Sequence, residues 1–281
     1  MIKIKRDYFS ALEKHVDSSD YLTTQRFARP SVITILQFSF NYHGKIKKLL
    51  NQQGFVILDL SPILQVNLDD LGLWLSNFLG DLMTKKNPHR KNYCPVIAES
   101  NSKYFVNSSF SQPLHTDEGY SKTYPKYLAL YCKHQANNGG VSTLFDFFSL
   151  YPLLCQYFSK TLKQLNTMDA VTLHGITGFE AKPILLSTSL NDPAISYCAT
   201  LKQMSCSLEV FKIFNFITRY IHQPLSQIRF KLQSNQVLLL DNTRILHGRT
   251  KFDINDRREL YRYWFNENCI NNKENLNEIE K

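Results

Sequence analysis

Gln236-Val237-Leu238-Leu239-Leu240-Asp241-Asn242-Thr243-Arg244-Ile245-Leu246-His247-Gly248-Arg249-Thr250 is the stretch on which the fold turns. An apolar run bounded by polar residues reads as a buried strand. A polar turn follows, and a histidine stands just beyond it. Arg258-Glu259-Leu260-Tyr261-Arg262-Tyr263-Trp264-Phe265 then alternates and is rich in aromatics, so it reads as another strand. Its period of two sets Arg258, Leu260, Arg262 and Trp264 on one face. Two arginines on an inward apolar face are costly unless anions meet them. A dicarboxylate meets that need, because guanidinium grips carboxylate through two parallel hydrogen bonds.

Upstream, His115-Thr116-Asp117 adds a second histidine and a carboxylate. A His-x-acid triplet alone is weak, expected about 0.7 times by chance at this composition. The chain carries a second copy, His15-Val16-Asp17, in a stretch that reads helical. Residues two apart on a helix do not share a face. His115 to Asp117 reads instead as a strand or its end, before a strand over 120–132, and extended residues i and i+2 point the same way. Two histidines and one carboxylate hold a divalent iron on one face and leave the other open, the ligand set of non-haem Fe(II) oxygenases. The residues therefore point to an oxygen-activating enzyme with an acidic co-substrate.

With these residues in view, the chain resembles the taurine dioxygenase and clavaminate synthase-like family of Fe(II)/2-oxoglutarate-dependent dioxygenases. The resemblance rests on Leu114-His115-Thr116-Asp117-Glu118-Gly119-Tyr120, on Gly139-Gly140-Val141-Ser142-Thr143-Leu144-Phe145-Asp146, and on 241–252 with Arg258 and Arg262. The arginines follow His247 by 11 and 15 residues, the family's spacing, and 132 residues separate the histidines. The resemblance implies that His115, Asp117 and His247 bind the iron. It implies that Arg258 pairs with the distal carboxylate of 2-oxoglutarate, and that Arg262 lies near the other end of the co-substrate or the substrate. A threonine after the glycine pair usually assists Arg258. Thr143 is preferred because Thr-Leu-Phe-Asp matches the family's continuation, with Ser142 as the alternative. The implied reaction couples O2 and decarboxylation of 2-oxoglutarate, to succinate and carbon dioxide, to hydroxylation of a substrate carbon. The implied fold is a double-stranded β-helix, a jelly-roll or cupin-like barrel.

The remaining sequence is consistent with α+β: strands bracketing inserted and flanking helices. Helices are expected over 45–53, ended by Gly54, over 68–82, from Asp146 as N-cap through Leu150, Leu153, Leu154 and Tyr157, and over 208–222. The 281 residues are expected to form one dioxygenase domain, with a core at about 45–265, a helical lead-in at 1–44 and a polar tail at 266–281. The polar segment 83–113 reads as a lid, and 170–200 as a second insert bordering the pocket. Asn107, Ser109, Gln112, Glu118 and Tyr120 are candidate substrate contacts by position and polarity, with Arg262. A small amino acid or amino-acid-derived metabolite is the expected substrate. Desaturation, epoxidation or another oxidative step at the same iron stays open.

Apolar residues make up 43% of the chain, which excludes intrinsic disorder. The net charge is +9, with basic runs at 45–48 and 85–91. A basic nucleic-acid-binding module is one rival reading, but no zinc-finger or other nucleic-acid motif accompanies the charge. A non-catalytic metal- and 2-oxoglutarate-binding regulator is the other; intact ligands and both arginines argue against it. Six cysteines lack Cys-x-x-Cys spacing and read as reduced packing residues. No signal-like start and no run of 18 apolar residues is present, so a cytoplasmic, non-membrane protein is expected. His43, His89, His134, His174 and His222 read as structural, and Arg249, Lys251 and Arg257 as solvated loop charges. Oligomeric state is left open.

Overall fold

The computed structural model describes residues 1–5, 30–83, 92–99, 105–174, 179–198 and 203–266. Residues 7–17 with His15-Val16-Asp17, the basic run 85–91 with His89, Cys269 and the tail beyond Asn266 lie outside the described residues.

The Gln236–Asp241 strand is central to the larger of two facing sheets. Its neighbours are Phe55–Asp59 and Tyr127–His134, both antiparallel. Beyond Tyr127–His134 lies Glu259–Asn266, which pairs with Cys94–Ile97 and Asp81–Leu82. Val32–Thr34 closes the far edge in parallel. The apolar run is continuous because both of its faces are buried. Val237 and Leu239 pack outward with Ile46, Leu50, Leu71 and Leu75. Those four residues come from helices His43–Gln53 and Leu68–Leu79. Leu238 and Leu240 point the other way.

The smaller sheet runs Ile228–Phe230, Ser142–Asp146, Ile245–Arg249, Gln112–His115. Its Leu144, Phe230 and Ile245 join Leu238, Leu240, Leu128 and Leu260 of the larger sheet in one cluster, so the two sheets pack face to face. Its outer face puts Leu114, Phe145 and Leu246 under Val210, Ile213, Phe214 and Ile217 of helix Leu208–Ile221. The fold is therefore α+β with mostly antiparallel sheets.

Local signals explain most boundaries. Gly54 has φ +76°, donates its N–H to Leu50, and could not carry a Cβ without meeting Ile245 at 2.6 Å. Asn67 caps the next helix through the Asp69 and Asp70 amides. That helix ends at Leu79, short of the expected 82, because Gly80 breaks it and Asp81–Leu82 pairs with the last strand. Asp146 caps a short 3-10 turn that leads into Tyr151–Phe158.

Three expectations are corrected. The strand expected over 120–132 begins at Tyr127, because Glu118 at φ +57° turns the chain first. The strand carrying His115 also stops there, so Asp117 stands in a turn. In the lead-in, Ile2–Lys5 and Val32–Thr34 are strands rather than helix. Ile2-Lys3-Ile4-Lys5 has the alternation of a strand and pairs with Gln203–Cys206. The insert beyond 170 supplies Val171–His174 and Phe179–Lys182 to that sheet, then the hairpin Leu185–Thr188 and Pro193–Ile195.

Candidate active site

His115 and His247 are direct cross-strand partners in the smaller sheet. Their rings lie 4.4 Å apart, and both residues are buried. Each Nε2 lies 3.5 Å from Asp117 Oδ1. One ligand atom from each of the three residues falls within 4.8 Å of the others. His115 Nδ1 contacts the Pro113 carbonyl at 2.9 Å. That contact calls for a proton on Nδ1 and frees Nε2 as a lone-pair donor.

Asp117 reaches the histidines by clamping rather than by strand alternation. The Asn242 amide accepts from Asp117 N–H at 2.7 Å and donates to its carbonyl at 3.1 Å. The carboxylate's two oxygens divide the work. Oδ1 faces the histidines, while Oδ2 accepts from the Trp264 indole at 2.6 Å and pairs with Arg262 at 3.2 Å. Arg262 stacks over Trp264, its carbon 4.2 Å from the ring centre. Burial alone would push Asp117 up, but Arg262, then the two histidine rings facing Oδ1, hold it well below the usual carboxylate range. Burial, then His115, holds His247 down, favouring neutral imidazole. A carboxylate and two imidazoles on one face are a donor set that fits a divalent metal.

The far end of the same inner face is different. Arg258 is 8% exposed, and no carboxylate pairs with it among the described residues. Burial pulls its pKa down to about 10. Phe252 lies under its guanidinium at 5.0 Å, and a Cβ on Gly140 would stand 3.4 Å from its side chain. A buried guanidinium in a cradle without a side chain suits an incoming carboxylate.

Register separates the two candidates beside it. Leu144 pairs with His247, and Ser142 pairs with Arg249 two residues on, so both share the His247 face. Thr143 pairs with Gly248 and turns with Phe145 to the opposite face. Of the other candidates, Gln112 Nε2 lies 3.2 Å from His115 Nε2. Tyr120 donates to Glu118 at 2.7 Å, and its hydroxyl feels Arg262 and Asp117 electrostatically. Asn107 instead contacts Glu99 at 3.5 Å, and the Ser109 carbonyl accepts from Phe252 N–H.

Arg249 is not a solvated charge. It is 4% exposed and donates to the carbonyls of Ser108 and Phe110. Strand alternation turns it inward with His247, where it anchors the end of the expected lid. Sequence reasoning also missed Asn242 as the Asp117 clamp and Trp264 as its indole donor. Asn242, following the buried strand directly, was the available signal; Trp264 was placed on the inward face without a partner.

The sequence model of the taurine catabolism dioxygenase TauD, TfdA family matches residues 39–180 and 191–264. No curated protein matches the chain. Among solved structures, asparagine oxygenase in complex with Fe(II), 2S,3S-3-hydroxyasparagine and succinate is similar, at TM-score 0.62 and 16% identity, covering 93% of this chain and 92% of that one. The non-heme iron oxygenase OrfP in complex with Fe, succinate and (3R,4R)-dihydroxy-L-Arg gives 0.63 and 14%, covering 84% and 83%. A taurine dioxygenase from Burkholderia xenovorans gives 0.61 and 15%, covering 85% and 88%. At such identities these likenesses establish a shared fold. With the family match spanning most of its length, the chain belongs to the taurine catabolism dioxygenase TauD, TfdA family.

Proposed function

We propose that this chain is a non-haem Fe(II)/2-oxoglutarate-dependent dioxygenase that hydroxylates a small amino acid or amino-acid-derived metabolite. The observation that carries the reading is the division of one inner face into a cation site and an anion site. His115, Asp117 and His247 would hold Fe(II) through two Nε2 atoms and Oδ1. Arg258 would take the distal carboxylate of 2-oxoglutarate, and the register favours Ser142 over Thr143 as its helper. The two facing sheets are read as the double-stranded β-helix of the family, built as one domain. Five described cysteines are free, in keeping with a reducing cytoplasmic setting. No described helix is long and apolar enough to cross a membrane.

Bound iron with 2-oxoglutarate supplies the O2-dependent oxidation. The chain's own residues do the rest. Trp264 and Arg262 occupy Asp117 Oδ2 and leave Oδ1 as the metal-facing atom. Pro113 fixes the His115 tautomer. Gln112, Glu118 and Tyr120 lie around the ligands and are the proposed substrate contacts. The amino-acid choice draws on the hydroxylated asparagine and arginine in the similar structures. Anaerobic addition of Fe(II) and 2-oxoglutarate should produce a weak visible charge-transfer band. Oxygen with a panel of amino acids should then yield succinate in step with hydroxylated product. A wild-type protein with neither band nor succinate would overturn the reading.

A further inference from the structure

The turn that carries Asp117 is gripped from a part of the chain that the family match skips. The matched segments stop at residue 180 and resume at 191, and Lys182 lies in the gap. Its ammonium donates to the Gly119 carbonyl at 2.7 Å and to the Ser196 hydroxyl. Lys182 is 1% exposed, among the largest side chains to be fully buried. Burying an ammonium is costly unless strong hydrogen bonds offset it. Burial accordingly pulls its pKa down to about 8.

The contacts around it form a clasp. Thr116 N–H donates to the Tyr197 carbonyl at 2.8 Å, and Tyr197 N–H donates to the Thr116 hydroxyl at 2.9 Å. Ser196 N–H donates to Ile184 and closes the hairpin on itself. Ile195 N–H donates to Thr243, next to the Asn242 clamp. Gly119 has no room to yield, since a Cβ there would meet the Tyr197 carbonyl at 2.6 Å. So the residue before Asp117 and the second residue after it are both tied to the segments that flank the hairpin, at Tyr197 and Lys182. Asn242 holds the Asp117 peptide between them.

We propose that Lys182 is a positioning residue of the metal site: through the Gly119 carbonyl it fixes the turn at 117–119 so that Asp117 Oδ1 meets both histidines. This rests on the metal-centre reading above. Metal-site supporting partners typically change affinity about 10–100-fold when lost.

The test is an anaerobic titration of the metal-free protein with Co(II), read by its visible absorbance. Lys182→Met keeps the length of the side chain and removes the donor. It should weaken Co(II) binding about tenfold or more and alter the spectrum. Leu185→Ala is the control, since Leu185 is fully buried at the start of the adjoining hairpin and its carbonyl accepts from Asn166 rather than from the turn. It should lower the melting temperature of the metal-free protein and leave Co(II) affinity and spectrum near wild type. Wild-type affinity in Lys182→Met, or an equal loss in Leu185→Ala, overturns the proposal. If Lys182→Met does not fold, Ser196→Ala carries the test, keeping the lysine and removing one acceptor. It should weaken Co(II) binding about threefold, the effect of one modest hydrogen bond; unchanged affinity overturns the proposal. A wild-type protein that takes up no Co(II) refutes the metal-centre reading itself, whereas a normal wild type beside a normal Lys182→Met refutes only the role of Lys182.

Discussion

The two ends of the inner face are built on opposite principles. At the Asp117 end the carboxylate is held on one side only: Oδ2 by Trp264 and Arg262, while Oδ1 faces the two histidine Nε2 atoms at 3.5 Å. At the Arg258 end a buried guanidinium stands with an aromatic ring, a glycine and no carboxylate among the described residues. Holding Oδ2 turns Oδ1 toward the histidines without any metal, which pre-forms a cation site. A buried cation without a paired carboxylate does the reverse: its burial carries a desolvation cost that an arriving carboxylate relieves. The Asp117 end is thus held by the chain's own contacts, and the Arg258 end is completed by its ligand.

The largest expected effect breaks the rigid end. Asp117→Ala removes the only anion of the donor set and leaves two imidazoles. Iron binding should fall below detection, and succinate formation should cease. Normal turnover in that variant would dissolve the comparison. The next effect tests the open end. Losing a buried charge-assisted bond costs about 2–5 kcal/mol. At about 1.4 kcal/mol per decade, Arg258→Ala should weaken 2-oxoglutarate about 30-fold or more in anaerobic titration. Arg258→Lys should recover only part, since an ammonium lacks the two-pronged fork.

Arg262 sharpens the contrast because it belongs to both ends by sequence and to one by contact. Its spacing after His247 suggested the co-substrate or substrate, yet its guanidinium lies 3.2 Å from Asp117. Arg262→Ala should therefore cost about tenfold in metal affinity and in substrate-coupled turnover, with 2-oxoglutarate binding changed less. A loss of 2-oxoglutarate affinity as large as that of Arg258→Ala would mean that the two arginines share one role.

What was legible follows from which interactions are local. The Gln236–Asp241 strand, the helix stop at Gly54 and the inward face of Leu260, Arg262 and Trp264 follow from periodicity and backbone chemistry. That His115, Asp117 and His247 come together was legible from residue type, although the strand alternation invoked for Asp117 is not what brings it there. What was hidden depends on contacts between distant segments. Arg249 looked solvated until the carbonyls of Ser108 and Phe110 arrived about 140 residues away in sequence. Asn242 reaches Asp117 across 125 residues, and Lys182 reaches Gly119 across 63. No single-segment pattern announces such partners, because each is a polar side chain meeting another segment's backbone.

The smallest expected effect decides a choice that sequence left between neighbours. Thr-Leu-Phe-Asp favoured Thr143, but strand pleating allows only one of two adjacent residues to face the cavity. Ser142 shares its face with Leu144 and His247, while Thr143 turns with Phe145 under the outer helix. A hydroxyl donating to the distal carboxylate adds about 1 kcal/mol, roughly fivefold in affinity. Ser142→Ala should therefore raise the 2-oxoglutarate dissociation constant by about that factor, with iron affinity unchanged. Thr143→Val keeps the shape and should leave the constant within about twofold, its effect falling on stability because Thr143 is 2% exposed against Gly248. If Thr143→Val weakens 2-oxoglutarate and Ser142→Ala does not, the co-substrate is reached from the other face of this strand, and the division between a closed metal end and an open arginine end would have to be redrawn around Thr143.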